Sequence, residues 1–188
     1  MKNFKSAILL FLVLTVLTGI MYPVIVTIAG QTLFPYQTNG SFIKNKSGKV
    51  IGSELIGQKF QNQKYFISRP SAIDYNPMPS GGSNLAIDSK ALQQNIQDRK
   101  TEFFKQNPTA KKIPDDLLFA SGSGLDPEIS VEAARAQVDR ILKVRHWSQL
   151  QQTKIMALIE TTTKKRDWLI FGEPRINVLK LNLTLDKM

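Results

Sequence analysis

Between Ala7 and Ala29 the chain runs for 23 residues without a charged side chain. As a helix, at about 1.5 Å per residue, such a run covers roughly 34 Å, enough for a hydrocarbon core of about 30 Å. Nothing else in the chain is comparably apolar. The expected organisation is a transmembrane anchor, residues 1–30, carrying one body, residues 31–188. Any function then has to be placed relative to a membrane.

Lys2 and Lys5 precede the run and no charge follows it until Lys44. The positive-inside rule keeps the N-terminus in the cytoplasm and puts the body on the extracytoplasmic (periplasmic) side, since long domains translocate largely regardless of their charge. The alternative is a cleaved secretory signal with Thr27-Ile28-Ala29 as a small-x-small site. A signal core is usually about 7–15 residues, so the length favours an uncleaved, single-pass anchor. Thr18, Gly19, Tyr22 and Pro23 lie inside the run. Small, hydroxyl and proline residues are tolerated in lipid best where another helix approaches and satisfies freed backbone groups, so these four are the candidate helix-packing residues. Phe34-Pro35-Tyr36 then fits an interfacial aromatic belt.

The first 30 residues hold two lysines and no acid, so the rest of the chain keeps 23 basic and 15 acidic side chains, a net +8. A chain of this size buries one core. The absence of cysteine excludes disulfides, Cys-ligated zinc, Fe–S clusters and thiol nucleophiles. The basic residues are dispersed rather than gathered in an arginine-rich tract, which argues against nucleic acid. His146 is the only histidine, so histidine-based metal clusters are excluded and no metal site is expected. There is no G-x-x-x-x-G-K-[ST] phosphate loop, because Gly48-Lys49 lacks the upstream glycine and the following hydroxyl, and no Asp-Lys-Thr-Gly phosphorylation run.

Along the body, Ser41–Lys44 and Val50–Gln58 read as strands around an Asn45-Lys46-Ser47-Gly48 turn, and Tyr65-Phe66-Ile67 as another short strand. Tyr75–Asn84 is irregular, with two prolines and two glycines. A helix is expected from an Asp88 cap to about Gln106, with Leu92, Ile96 and Phe103 inward. Ile113–Ser130 reads as irregular. Ser130 caps a helix to about Arg145, buried along Ala134, Val138, Ile141 and Leu142. Ser148 caps another, with Leu150, Ile155, Leu158 and Ile159 inward. Alternation from Leu179 to Leu185 predicts a C-terminal strand, Arg175–Leu185. Strands at both ends around central helices make the body an α+β domain.

Two glycine–serine loops are the candidate sites. Ser80-Gly81-Gly82-Ser83-Asn84 has the composition to hold an anion on backbone N–H groups, although such glycine-rich turns are more often tight packed loops. Ser121-Gly122-Ser123-Gly124-Leu125-Asp126-Pro127 has the same two readings, with Asp126-Pro127 as a turn and cap. A hydrolase using Ser121 or Ser123 with Asp126 is the enzymatic alternative; a triad through His146 lacks a serine-elbow context. Arg69 and Arg175 read as structural ion pairs, Gln58 and Gln137 as surface or network residues.

In order along the chain stand Thr18-Gly19-Ile20-Met21-Tyr22-Pro23, Phe34-Pro35 with Asn39-Gly40-Ser41, Gly52-Ser53-x-Leu55-Ile56-Gly57-Gln58-x-Phe60, and Tyr65-Phe66-x-x-Arg69-Pro70-Ser71-Ala72. They are followed by Ser80-Gly81-Gly82-Ser83-Asn84-Leu85, Asp116-Leu117, Ser121 to Pro127 with Ile129-Ser130, Ala134-x-x-Gln137-x-x-Arg140, and Arg175-x-Asn177-Val178-Leu179-x-Leu181-Asn182. This series, from Thr18 to Asp186, closely resembles the C subunit of the Kdp-type potassium-transporting ATPase, the KdpC family. One departure is Ala86-Ile87-Asp88, where the family usually continues Gly-Pro-(Thr/Ser).

The resemblance implies a bacterial inner-membrane complex for high-affinity, ATP-driven potassium uptake. In it a channel-like A subunit carries K⁺, a P-type B subunit hydrolyses ATP, and a small F subunit accompanies them. The C subunit would be non-catalytic and hold no cofactor of its own, ATP and K⁺ being used by the complex. Its family role is that of a catalytic chaperone raising the B subunit's ATP affinity, for which Ser80 to Asn84 would be the nucleotide loop. Both loops lie outside the membrane in the topology above, whereas ATP is inside. The membrane argument therefore favours a brace or cap on the A subunit's K⁺ entrance, with the anchor packed against A-subunit helices and membrane lipid.

Overall fold

A computed structural model of the protein describes residues 2–188, which divide into two compact units, Met1–Ile51 and Gly52–Met188. The first unit is dominated by one helical span, Asn3–Leu33, 31 residues with an apolar surface buried nowhere in the unit. It consists of α1 (Lys2–Val16), a π-helical turn (Leu17–Met21) and α2 (Tyr22–Leu33). Its length of about 46 Å exceeds the hydrocarbon core, leaving room for tilt.

Pro23 accounts for the π-turn. A proline inside a helix has no N–H to offer the carbonyl four residues back, here Gly19, and its ring crowds that carbonyl. The widened turn moves the backbone aside, and the Tyr22 N–H donates to the Leu17 carbonyl, five residues back. Thr18 donates its hydroxyl to the Leu14 carbonyl at 2.7 Å. A Cβ built on Gly19 would meet nothing within 4 Å, so the helix surface is open there. Thr18, Gly19, Tyr22 and Pro23 thus gather at one local distortion.

After α2 come a short helix, α3 (Pro35–Thr38), and a hairpin of β1 (Phe42–Lys44) and β2 (Val50–Ser53). The Asn45 side chain organises the turn, accepting from the Ser47 and Lys49 N–H groups at 3.0 and 2.9 Å, with Gly48 at φ +80°.

The second unit continues with α4 (Lys90–Gln106), α5 (Asp115–Leu118), β3 (Glu128–Ser130), α6 (Val131–Arg135), α7 (Val138–Val144), α8 (Gln149–Thr162), β4 (Arg175–Asn177) and α9 (Val178–Leu185). β3 and β4 pair antiparallel, Ile129 opposite Ile176. The helices pack on this short ribbon around a core of Phe66, Phe103, Ile129, Ile141, Ile155, Ile159, Ile176, Leu181 and Leu185. The molecule is therefore α+β, with one N-terminal apolar helix of membrane-spanning length, as expected.

Several elements differ from expectation. The C-terminal strand ends at Asn177, and α9 follows. Val178, Leu181, Asn182 and Leu185 are all buried, a helical i, i+3, i+4, i+7 set that coexists with the Leu179–Leu185 alternation, and the Asn177 side chain caps the helix by accepting from the Lys180 N–H. The second strand stops at Ser53, where the hydroxyl accepts from the Leu55 N–H and turns the chain. α4 is capped by Ser89, not Asp88. The helix after Ser130 breaks at Ala136–Gln137 into α6 and α7, Ile113–Ser130 contains α5 and β3, and Leu150 points to solvent. Ser130 and Ser148 do cap helices, the latter through a Ser148–Gln151 capping box.

Candidate functional site

The two glycine–serine loops lie against each other. The Gly81 N–H donates to the Ser123 carbonyl at 3.0 Å, and the Ser80 hydroxyl donates to the same oxygen at 2.9 Å. A Cβ on Gly82 would lie 2.9 Å from the Gly122 carbonyl oxygen. Gly124, at φ +69°, lets its backbone approach the Gly81 carbonyl so closely that a Cβ would sit 2.8 Å from it. The glycines serve a backbone-to-backbone approach as well as turn geometry. One N–H of the would-be anion cradle, Gly81, already points at a protein carbonyl.

The second loop is fixed at both ends. The Ser121 N–H donates to the Pro70 carbonyl, and the Gly57 N–H to the Leu125 carbonyl at 2.7 Å. A Cβ on Gly57 would come within 2.6 Å of the Asp126 carbonyl oxygen. The Asp126 carboxylate takes a salt bridge from Arg69 at 3.0 Å and an N–H from Glu128 at 2.9 Å, closing the turn into β3. Ser123 Oγ accepts from the Leu125 N–H, and Ser121 is buried. Ser121, Ser123 and Asp126 thus each carry a backbone or ion-pair duty in the loop.

Beyond Asp126 a groove of about 450 Å³ is lined by Arg69, Asp116, Asp126, Glu128, Asp167 and Arg175 among others. Arg175 bridges Glu128 and Asp167, each at 3.0 Å. Hydrogen bonds from Arg175, then Lys164, hold the Asp167 carboxyl below the usual carboxylate range, and the Asp167 bond raises the Arg175 guanidinium. Asp116 accepts from the Ser130 N–H at 2.7 Å. Among the described residues no cluster of three or more carboxylate or imidazole groups is placed to hold a metal ion. Tyr75, whose hydroxyl donates to the Arg69 carbonyl at 2.6 Å, is pushed up to about 12 by burial and then by the Asp74 charge.

The residues that sequence reasoning undervalued are Asn107, Gln137, Arg140 and Asn182, all buried and polar. They hold the segment expected as the Tyr65-Phe66-Ile67 strand, which forms no ladder with any strand. The Asn182 amide does what a neighbouring strand would do: its Oδ1 accepts from the Phe66 N–H at 2.8 Å and its Nδ2 donates to the Phe66 carbonyl at 2.9 Å. Gln137 Oε1 accepts from the Ile67 N–H at 2.8 Å. Arg140 donates to the Gln63 and Tyr65 carbonyls, the Asn107 side chain and Gln137 Oε1. Burial lowers the Arg140 guanidinium to about 10, so it remains charged at neutral pH with neutral oxygens as its partners. The i, i+3 pair Gln137 and Arg140 on a buried helix face was the available signal.

The family model described as K⁺-transporting ATPase, c chain, matches residues 4–187. The KdpC subunit of a potassium-transporting ATPase from Caldanaerobacter subterraneus subsp. tengcongensis is 45% identical over 186 residues, covering 98% of this chain and 94% of that protein. The corresponding subunit of Geotalea uraniireducens is 46% identical over 191 residues, 100% of this chain and 99% of its own length. That of Paraburkholderia phytofirmans is 46% identical over 194 residues, with 100% and 98% covered.

Proposed function

The chain belongs to the KdpC family of K⁺-transporting ATPase subunits, and from that premise we propose that it is a non-catalytic assembly subunit rather than a nucleotide-binding one. In this reading it crosses the bacterial inner membrane once, N-terminus inside, with the body on the extracytoplasmic side. It braces a channel-like A subunit through the helix face around Thr18, Gly19, Tyr22 and Pro23. The P-type B subunit hydrolyses ATP and a small F subunit completes the complex. Any effect on the B subunit's ATP affinity passes through the assembly as a coupling energy.

The observation that carries this reading is the engagement of Gly81 by Ser123: the loop best suited by composition to hold a phosphate is closed on a second loop. Lys2 and Lys5, with no further charge before Lys44, support the orientation. The experiment is Gly81→Asp in the intact complex. An aspartate Cβ there meets no atom within 4 Å, while its carboxylate would repel a triphosphate. The reading expects K⁺-stimulated ATP hydrolysis with an unchanged KM for ATP. A large rise in KM, with the complex still assembled, overturns it in favour of a direct nucleotide contact.

A further inference from the structure

Between α8 and β4 the chain makes an excursion, residues 163–174. Its base is closed by backbone pairing of Lys164 with Arg175, and its neck by the Asp167 N–H to the Phe171 carbonyl at 2.8 Å and the Phe171 N–H to the Asp167 carbonyl at 2.9 Å. Side chains reinforce it. Arg166 grips both carboxylate oxygens of Glu173 at 2.8 and 2.7 Å, and Asp167 binds Arg175 and Lys164.

At the tip stand Trp168, Leu169, Ile170 and Phe171, exposed by 87, 81, 72 and 62%. Trp168 and Leu169 sit at φ +53° and +66°, a left-handed conformation that costs energy in residues with a Cβ. A braced turn that holds four large apolar side chains in water does not serve the fold of its own unit.

We propose that this tip inserts into the interfacial layer of a lipid bilayer, its cationic base against anionic phospholipid headgroups. Tryptophan with neighbouring aliphatic and aromatic side chains favours the membrane–water interface, and adjacent lysines extend to phosphates. Residues 164–175 carry four bases against two acids, a net +2, within a body of net +8. Lys164, Arg166 and Arg175 are engaged in ion pairs, whereas Lys165 has none among the described residues, leaving its ammonium for a headgroup.

Four side chains fall far short of the 20–30 residues a side that a stable protein interface employs. They suffice for a bilayer on the proposed reading that the apolar helix Asn3–Leu33 anchors the chain, because such an anchor keeps the tip's local concentration at that surface high. This inference does not depend on which side of the membrane the body occupies.

The test uses the full chain with Trp147→Phe, which leaves Trp168 as the only indole. It is reconstituted into vesicles of phosphatidylcholine and phosphatidylglycerol, with and without lipids brominated near the top of the acyl chain. The proposal expects blue-shifted emission, loss of most of it to brominated lipid, and weaker quenching on adding Leu169→Ser with Ile170→Ser, or Lys165→Glu. Emission like that of indole in water, untouched by bromine while circular dichroism shows an intact fold, overturns it. In the complete complex, a photo-crosslinking residue at Ile170 is expected to capture phospholipid. Capture of another subunit instead overturns the lipid assignment and makes the tip a protein contact.

Discussion

Residues 63–67 and 163–174 both lie outside regular secondary structure in the second unit, and they treat their polar and apolar atoms in opposite ways. In the first, Phe66 is fully buried and its backbone is paired by the Asn182 amide, while Arg140 collects the carbonyls of Gln63 and Tyr65. In the second, the backbone pairs with itself at the neck, Lys164, Arg166, Asp167 and Glu173 are held in local ion pairs while Lys165 is left over among the described residues, and the large apolar side chains face outward. A buried irregular segment needs partners from elsewhere in the fold, since an orphaned N–H or carbonyl costs about 1–3 kcal/mol. A self-satisfied segment that exposes tryptophan is free of that requirement, and its cost in water is recovered only by contact with something else. The first segment concerns folding and the second concerns what the folded chain touches.

The largest effect is expected at the buried clamp. Arg140→Met removes the guanidinium bonds to the Gln63 and Tyr65 carbonyls and to the Asn107 and Gln137 side-chain oxygens, and should destabilise the chain by about 3–5 kcal/mol, the tail of single-substitution effects. Denaturant unfolding of the full-length chain in mild detergent measures it. Lysine should rescue little, because a single ammonium cannot reproduce the guanidinium fork. Asn182→Leu should cost about 2–3 kcal/mol by orphaning both backbone groups of Phe66.

Next come the glycines of the interlocked loops. Gly124→Ala forces a Cβ against the Gly81 carbonyl at a positive φ and should cost about 1–3 kcal/mol, whereas Gly81→Ala, with open space around it, should stay within about 0.5 kcal/mol. Equal effects at the two positions would contradict the interlock.

The acid limb of the stability curve sharpens the same contrast. Burial pushes the Asp186 carboxyl up, but hydrogen bonds from Arg145 at 2.6 Å and Tyr65 at 2.7 Å outweigh it and leave it lowered. Its contribution is present above the unfolded value of about 3.9 and is lost as pH falls through the lowered folded value. Asp186→Asn should therefore flatten the loss of stability below about pH 4. Asp167 is lowered in the same direction, but its pairs at the excursion are solvent-screened, so Asp167→Asn should change that limb less. The smallest effect belongs to the tip: Leu169→Ser with Ile170→Ser should move unfolding free energy by no more than about 0.5 kcal/mol. A larger loss would mean that the tip packs within its own fold.

Elements governed by local chemistry were legible in the sequence. The apolar span, the Ser130 and Ser148 caps and the inward faces of α7 and α8 follow from length, side-chain oxygens and helical spacing. The stretch from Leu179 to Leu185 misled because alternating leucines also place Leu181 and Leu185 on one helical face, and only the Asn177 cap distinguishes the two periods. Tyr65–Ile67 has strand composition and an extended partner requirement, yet its partners are side chains more than a hundred and about seventy residues away, which no local pattern encodes. The glycine–serine loops were visible as motifs, whereas their mutual contact is a tertiary fact. Nothing local in the short apolar run Trp168–Phe171 marks it as exposed; its exposure is a tertiary fact.

The account rests on the membrane keeping the body, and with it both loops, away from cytoplasmic nucleotide. The most direct test is a single cysteine at Ser123, an exposed position in a chain with no native cysteine, probed in intact cells with a membrane-impermeant thiol reagent. The account predicts labelling in intact cells as complete as after lysis. Labelling that appears only once the cells are broken would put the body on the cytoplasmic side and contradict it.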